Sequence, residues 1–164
     1  RRMKSFSKSL IFAFFILLLG LPQTASASPN IPTDYQEIVI NGKTYYVETV
    51  ITESIASAQD YAKGAINTKT STKTNYYRDA NQNALWSVSV TATFIYDGTA
   101  SQCVSCSHSA SSYASSWSIK SSSSSYSGNS ATATATATHT DFFMITHDYT
   151  ASVTIYCSPT GVIS

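Results

Sequence analysis

The chain has 164 residues, only 12% of them charged, with ten Lys and Arg against nine Asp and Glu. Four of the ten basic residues lie in the first eight positions, so the remainder carries six basic against nine acidic residues, a net charge of −3. That balance argues against nucleic acid or an anionic membrane surface as an electrostatic partner, and 11 Tyr, 7 Phe and 2 Trp argue against a disordered chain.

Arg1, Arg2, Lys4 and Lys8 precede the uncharged run LIFAFFILLLGL (10–21), and small residues follow at ASA (25–27). These are the three parts of a secretory signal peptide. Cleavage is expected after Ala27, leaving 137 residues: a linker over 28–34 and one domain over 35–164. The apolar run is short for a transmembrane span and no stop-transfer segment follows it, so no integral membrane segment is expected in the mature chain. The expected location is extracellular, free or associated with the cell wall.

Beyond the linker the pattern has a period of two, the mark of half-buried strands. YQEIVI (35–40) and KTYYVETVIT (43–52) flank Asn41–Gly42, a strong signal for a two-residue hairpin. Residues 53–65 read either as an irregular strand or as a short helix near 53–63, with Ile55, Ala58, Tyr61 and Ala62 on one face. NTKTSTKTNYY (67–77) reads as a polar edge strand, its Lys69 and Lys73 discouraging edge-to-edge pairing. After the turn-forming DANQNA (79–84), LWSVSVTATFIY (85–96) places Trp86, Val88, Val90, Ala92, Phe94 and Tyr96 on one face, expected to be core.

Asp97–Gly98 is a turn, SQCVSCSHS follows, and SWSIKSSSSSYSG (116–128) runs into a turn at Gly128–Asn129. In ATATATAT (131–138) a strand would send every alanine to one side and every threonine to the other. Alanine on the inner face would let large rings of a facing sheet, such as Trp86 or Phe94, come close. YTASVTIYC (149–157) pairs back, with Tyr149, Ala151, Val153, Ile155 and Cys157 on one face. Seven or eight such strands joined by tight turns indicate an all-β fold, an antiparallel β-sandwich built as a meander with a few sheet crossings.

An exported chain with three cysteines is expected to form one disulfide. Cys103 and Cys106 are an unfavourable pair, because three steps of extended strand span roughly 10 Å. Closure of Cys157 on either Cys103 or Cys106 gives about 4 kcal/mol by loop entropy, so energy does not choose between them. On a regular strand the two candidates face opposite sides.

From Ala84 onward the order ALWSVSVTATFIYDGTASQC, WSIKSSSSSYSGNSATATAT and VTIYCSPTGVIS resembles a group of small secreted proteins of uncharacterised function from Gram-positive (Firmicutes-type) bacteria. The shared pattern is a W-[ST]-[VF] strand, a Tyr-[DN]-Gly turn, S-x-x-C-T-S, a SGN-x-A-T hairpin and a terminal L-T-C-[SD]-x-x-G-x-[LI]-S. The upstream INGKTYYVE hairpin fits as well. The first and last cysteines of that pattern fall on Cys103 and Cys157, which implies a Cys103–Cys157 disulfide with Cys106 as the extra thiol. No activity comes with the resemblance.

The polar candidates are few. With the last hairpin centred near Phe143–Met144, His139 would lie opposite Asp148, with Asp141 and His147 nearby. At most three of these four would converge on a metal ion, and polar residues at a strand end, loosely paired or solvated, are the stronger reading. No metal or other cofactor is therefore expected. There is no G-x-S-x-G elbow and no placed carboxylate pair, so no catalytic residue is assigned and no enzyme is expected. Tyr45, Tyr46, Tyr76, Tyr77, Tyr113 and Tyr126 suit either sugar stacking or cross-strand pairing.

In DFFMIT (141–146), the run Phe142, Phe143, Met144 and Ile145 is either a hairpin tip that contacts a partner or lipid, or a continuation of the core. The leading functional expectation is a secreted, non-catalytic binding module that contacts a cell-surface protein or a glycan. The runner-up is a secreted antimicrobial or bacteriocin-like effector acting at a target cell surface, and the third is a small hydrolase.

Overall fold

Alternation of apolar and hydroxyl side chains forces this chain to pair strands, because only a sheet separates the two sets onto opposite faces. In the computed structural model, which describes residues 35–40, 42–54 and 66–164, eight strands do so. They are β1 (Tyr35–Ile40), β2 (Lys43–Ser54), β3 (Asn67–Arg78), β4 (Ala84–Tyr96), β5 (Ser101–Ser112), β6 (Trp117–Ser127), β7 (Ser130–Thr140) and β8 (Thr146–Tyr156). Strands β1 to β5 form one antiparallel sheet in sequential order, and β6 to β8 form a second. The expected antiparallel β-sandwich is what the chain forms, and a single crossing, from β5 to β6, suffices. The expected signal peptide and linker (1–34), Asn41, and the 55–65 part of the helix-or-strand segment lie outside the described residues. Glu53 and Ser54 belong to β2.

The core lies between the sheets. Trp86, Val88, Val90, Ala92 and Phe94 of β4 face Ala131, Ala133, Ala135 and Ala137 of β7 and Tyr149, Val153 and Ile155 of β8, all buried. The alanine row has the anticipated consequence. Cα atoms of β4 and β7 approach within 8 Å, closer than the roughly 10 Å usual between packed sheets. On the outer faces the hydroxyls pair across strands, as in Thr70–Thr93, Thr72–Thr91, Thr132–Thr154 and Thr136–Thr150, at 2.8–2.9 Å.

One placement differs from expectation. The polar β3 is not an edge strand but lies between β2 and β4. Its inner side comes within 8 Å of β8, with Ser71 and Tyr77 buried there, so a small hydroxyl and a phenol take places that a larger apolar residue would otherwise fill. Lys69 on the same strand reaches Glu53 at 3.0 Å and the Gly161 carbonyl at 2.7 Å.

Turns are read from their glycines. Ile40 pairs with Lys43, and Gly42 has φ +74°. Ser127 pairs with Ser130 around Gly128, whose φ of +57° precedes a residue of ordinary φ, the pattern of a type II′ turn.

Candidate functional site

Two ends of the sandwich carry chemistry. At one end, Trp117 of β6 lies opposite His139 of β7 with ring centroids 4.9 Å apart, and it also touches Tyr149, Tyr45 and Trp86. Beyond this aromatic layer β7 and β8 continue to the pair Thr140–Thr146 and close through residues 141–145.

Asp141 builds that turn. Its N–H donates to the Ile145 carbonyl at 2.9 Å, and its carbonyl accepts from Met144 N–H at 3.0 Å. Its carboxylate oxygen Oδ1 accepts from the N–H groups of both Phe143 and Ile145 at 2.9 Å. The Ile145 and Phe143 amides, with His147 beside them, hold this carboxyl below its ordinary range. The other oxygen, Oδ2, faces His147 Nε2 at 3.6 Å. The three-residue loop 142–144 ends on Met144 at φ +64°, a left-handed conformation normally given to glycine.

The apolar run is therefore a tip and not core. Phe142, Phe143, Met144 and Ile145 are 93, 77, 81 and 55% exposed. The two phenyl rings meet edge to face, 5.6 Å apart at 83°. No other four successive described residues expose large apolar side chains in this way.

The histidine register is off by one from expectation. The loop centres on Phe143, so His139 pairs with His147, and Asp148 pairs with Thr138. Asp148 turns to the outer face, accepting from Thr138 Oγ1 at 2.6 Å and pairing with Lys120. Burial, and then the nearby Lys43 charge, push the His139 imidazole below its ordinary range. Among the described residues no three His, Cys, Asp or Glu side chains come together as a metal site.

The other end holds the cysteines. All three are free thiols, Cys103 and Cys157 buried and Cys106 half-buried. A bulge changes their geometry. Phe94 pairs with Cys103 but Thr93 pairs with Ser105, so Val104 is an extra residue. Cys106 then pairs with Ala92, which shares its face with Phe94, and both cysteines of the CVSC stretch face inward. The expectation of opposite faces assumed an unbroken strand. Cys103 N–H donates to the Gly128 carbonyl at 2.7 Å, and Cys157 N–H donates to that of Asn129 at 3.0 Å. The turn thus gathers the first and last cysteines. Burial raises the Cys103 thiol, and both neighbouring thiols add to the rise.

A cavity of about 380 Å³ opens at this same end, lined by Ile66, Ile95, Tyr96, Ser101, Gln102 and Gly128 among others, away from His139 and His147. The tyrosines divide. Tyr45 and Tyr77 are core, Tyr46 and Tyr76 are half-buried, and Tyr113 and Tyr126 are exposed. Tyr76 and Tyr113 lie 6.2 Å apart with Arg78 over the Tyr76 ring, so cross-strand contacts account for them.

Comparison with protein-family models, with curated proteins and with solved structures finds no match to this chain. Among the described residues no helix is long and apolar enough to cross a membrane.

Proposed function

We propose that the mature chain is a secreted, non-catalytic binding module that makes contact through the Phe142–Ile145 tip. Export rests on the charged, apolar and small-residue succession over 1–27. Contact rests on one observation: four successive large apolar side chains, each more than half exposed, on a turn braced from within by the Asp141 carboxylate.

Side chains of this size each gain about 1.5–3 kcal/mol when fully withdrawn from water. A cluster of four left in solvent forgoes several kcal/mol that a partner would return. The sandwich does not need them, because the core closes one layer below at Trp117, His139 and Tyr149.

The test is the double variant Phe142→Ser plus Phe143→Ser. Its melting temperature should stay within about 2 °C of the parent, as for surface substitutions, while binding to whole cells or isolated cell envelope is lost. A collapse in melting temperature would assign the tip to the fold, and unchanged envelope binding would remove it from the contact.

A further inference from the structure

We infer that the partner of the tip is the headgroup–acyl boundary of a phospholipid bilayer, an inference that rests on the contact reading above. Three features choose lipid over a pocket in a protein.

The first is shape. A protein groove takes anchors from one face of a segment, at alternate or i, i+3, i+4 positions, but here four consecutive residues of a tight loop are exposed together, the two phenyl rings nearly perpendicular. Four neighbouring side chains, each more than half exposed, are covered together by a medium that surrounds the loop.

The second is the backbone. Entering hydrocarbon is costly for unpaired peptide groups. The N–H groups of Asp141, Phe143, Met144 and Ile145 are all bonded within the turn. Those four bonds persist on insertion to the headgroup–acyl boundary, a hydrated depth at which the Phe142 N–H and the carbonyls of Phe142, Phe143 and Met144, which have no partner within the turn, keep polar surroundings.

The third is the charge at its base. Lys43, Asp141 and His147 all act electrostatically on His139, Asp141 with the opposite sign, and the Asp141 carboxylate is taken up by the loop amides and His147. The base thus sets the Lys43 ammonium beside His139, where lipid phosphates would lie with the rings inserted, while His147 is engaged by Asp141 and His139 packs on Trp117. Because insertion is apolar, zwitterionic phosphatidylcholine suffices, in keeping with the net negative charge of the mature chain.

The full chain carrying Phe143→Trp is mixed with phosphatidylcholine vesicles whose acyl chains are brominated, beside unbrominated controls. The reporter sits on the tip, so attachment through the apolar 10–21 stretch gives no signal by itself, and Trp86 and Trp117 are shielded in the core. The expected result is a blue shift and strong quenching by the brominated chains, little changed by raising salt. Adding Phe142→Ser and Met144→Ser should weaken the quenching titration about tenfold or more. Vesicle attachment with an unquenched tip overturns the lipid assignment. If the tip is unquenched while cell-envelope protein or glycan retains the parent but not the Phe142→Ser, Phe143→Ser variant, lipid is excluded and the contact reading stands. If nothing distinguishes parent from variant, both fail.

Discussion

Trp86 of β4 and Trp117 of β6 lie across the two sheets with ring centroids 6.3 Å apart and planes 19° from parallel. Tyr77 of β3 stacks on Trp86, 4.1 Å away at 7°. Rings from the two sheets thus lock the aromatic end, directly beneath the hairpin that carries the tip. Trp117→Ala should cost about 3–5 kcal/mol in a denaturant titration. A loss under about 1 kcal/mol would show that the aromatic layer is not part of the cooperative core.

Ala133 and Thr134 are neighbours in sequence and opposites in environment. Ala133 is fully buried in the row that lets β4 and β7 approach within 8 Å. Thr134 bonds Ser152 on the outer face at 2.7 Å. Ala133→Leu should therefore destabilise by about 1–3 kcal/mol through overpacking. Thr134→Val, which keeps the β-branched shape, should move stability by no more than about 0.5 kcal/mol. Equal effects from the two would contradict the face assignment.

Much of this architecture was legible because its signal is repeated: a period of two maintained through β4, β7 and β8 cannot be packed as helix. What escaped reading depends on single insertions and on distant partners. Val104 is one extra residue, yet it turns Cys106 to the side of Cys103. The loop closing on Met144 moves the centre of the last hairpin by half a residue, which exchanges Asp148 for His147 opposite His139. The interior place of β3 depends on its pairing with both β2 and β4, which no local pattern in residues 67–78 records. For the tip, the sequence left buried core and exposed tip both open, and the turn capped by Asp141 leaves the four side chains exposed; aspartate before a bulky apolar loop was the signal available.

Cys103 and Cys157 are each tied by a backbone bond to the Gly128–Asn129 turn. Oxidation by a small-molecule disulfide, which takes up two electrons and both thiol protons to become two thiols, should link Cys103 to Cys157 and leave Cys106 open to alkylation. Closing that loop should stabilise the fold by up to about 4 kcal/mol. Peptide mapping without reductant reads the outcome. The same-face neighbours Cys103 and Cys106 are roughly 7 Å apart along the strand, at the limit of disulfide reach. A Cys106–Cys157 or Cys103–Cys106 peptide would refute the assignment.

His139 gives the fold a pH dependence with a definite sign. Burial and Lys43 lower its folded-state value below the ordinary 6.5. The unfolded chain therefore binds the proton first as pH falls. Stability is complete above about 6.5 and declines as the pH drops from there toward the folded value. His139→Gln should flatten the melting-temperature profile over this window and leave its neutral-pH end nearly unchanged. Parallel profiles for parent and variant would show that His139 titrates freely.

Met144 separates stability from contact. It holds φ +64° in a loop position where glycine is free of strain, while its side chain is 81% exposed. A left-handed conformation costs an ordinary residue about 1–2 kcal/mol, so Met144→Gly should raise the melting temperature even though glycine enlarges the unfolded ensemble. The same change removes a large apolar side chain from the tip, so vesicle quenching of a Phe143→Trp reporter should weaken several-fold. A variant that is more stable and binds less marks a residue kept for its contact at the expense of the fold. If Met144→Gly is less stable, the strain at this position is not real. If it is more stable and quenched as strongly as the parent, the methionine has no part in the insertion.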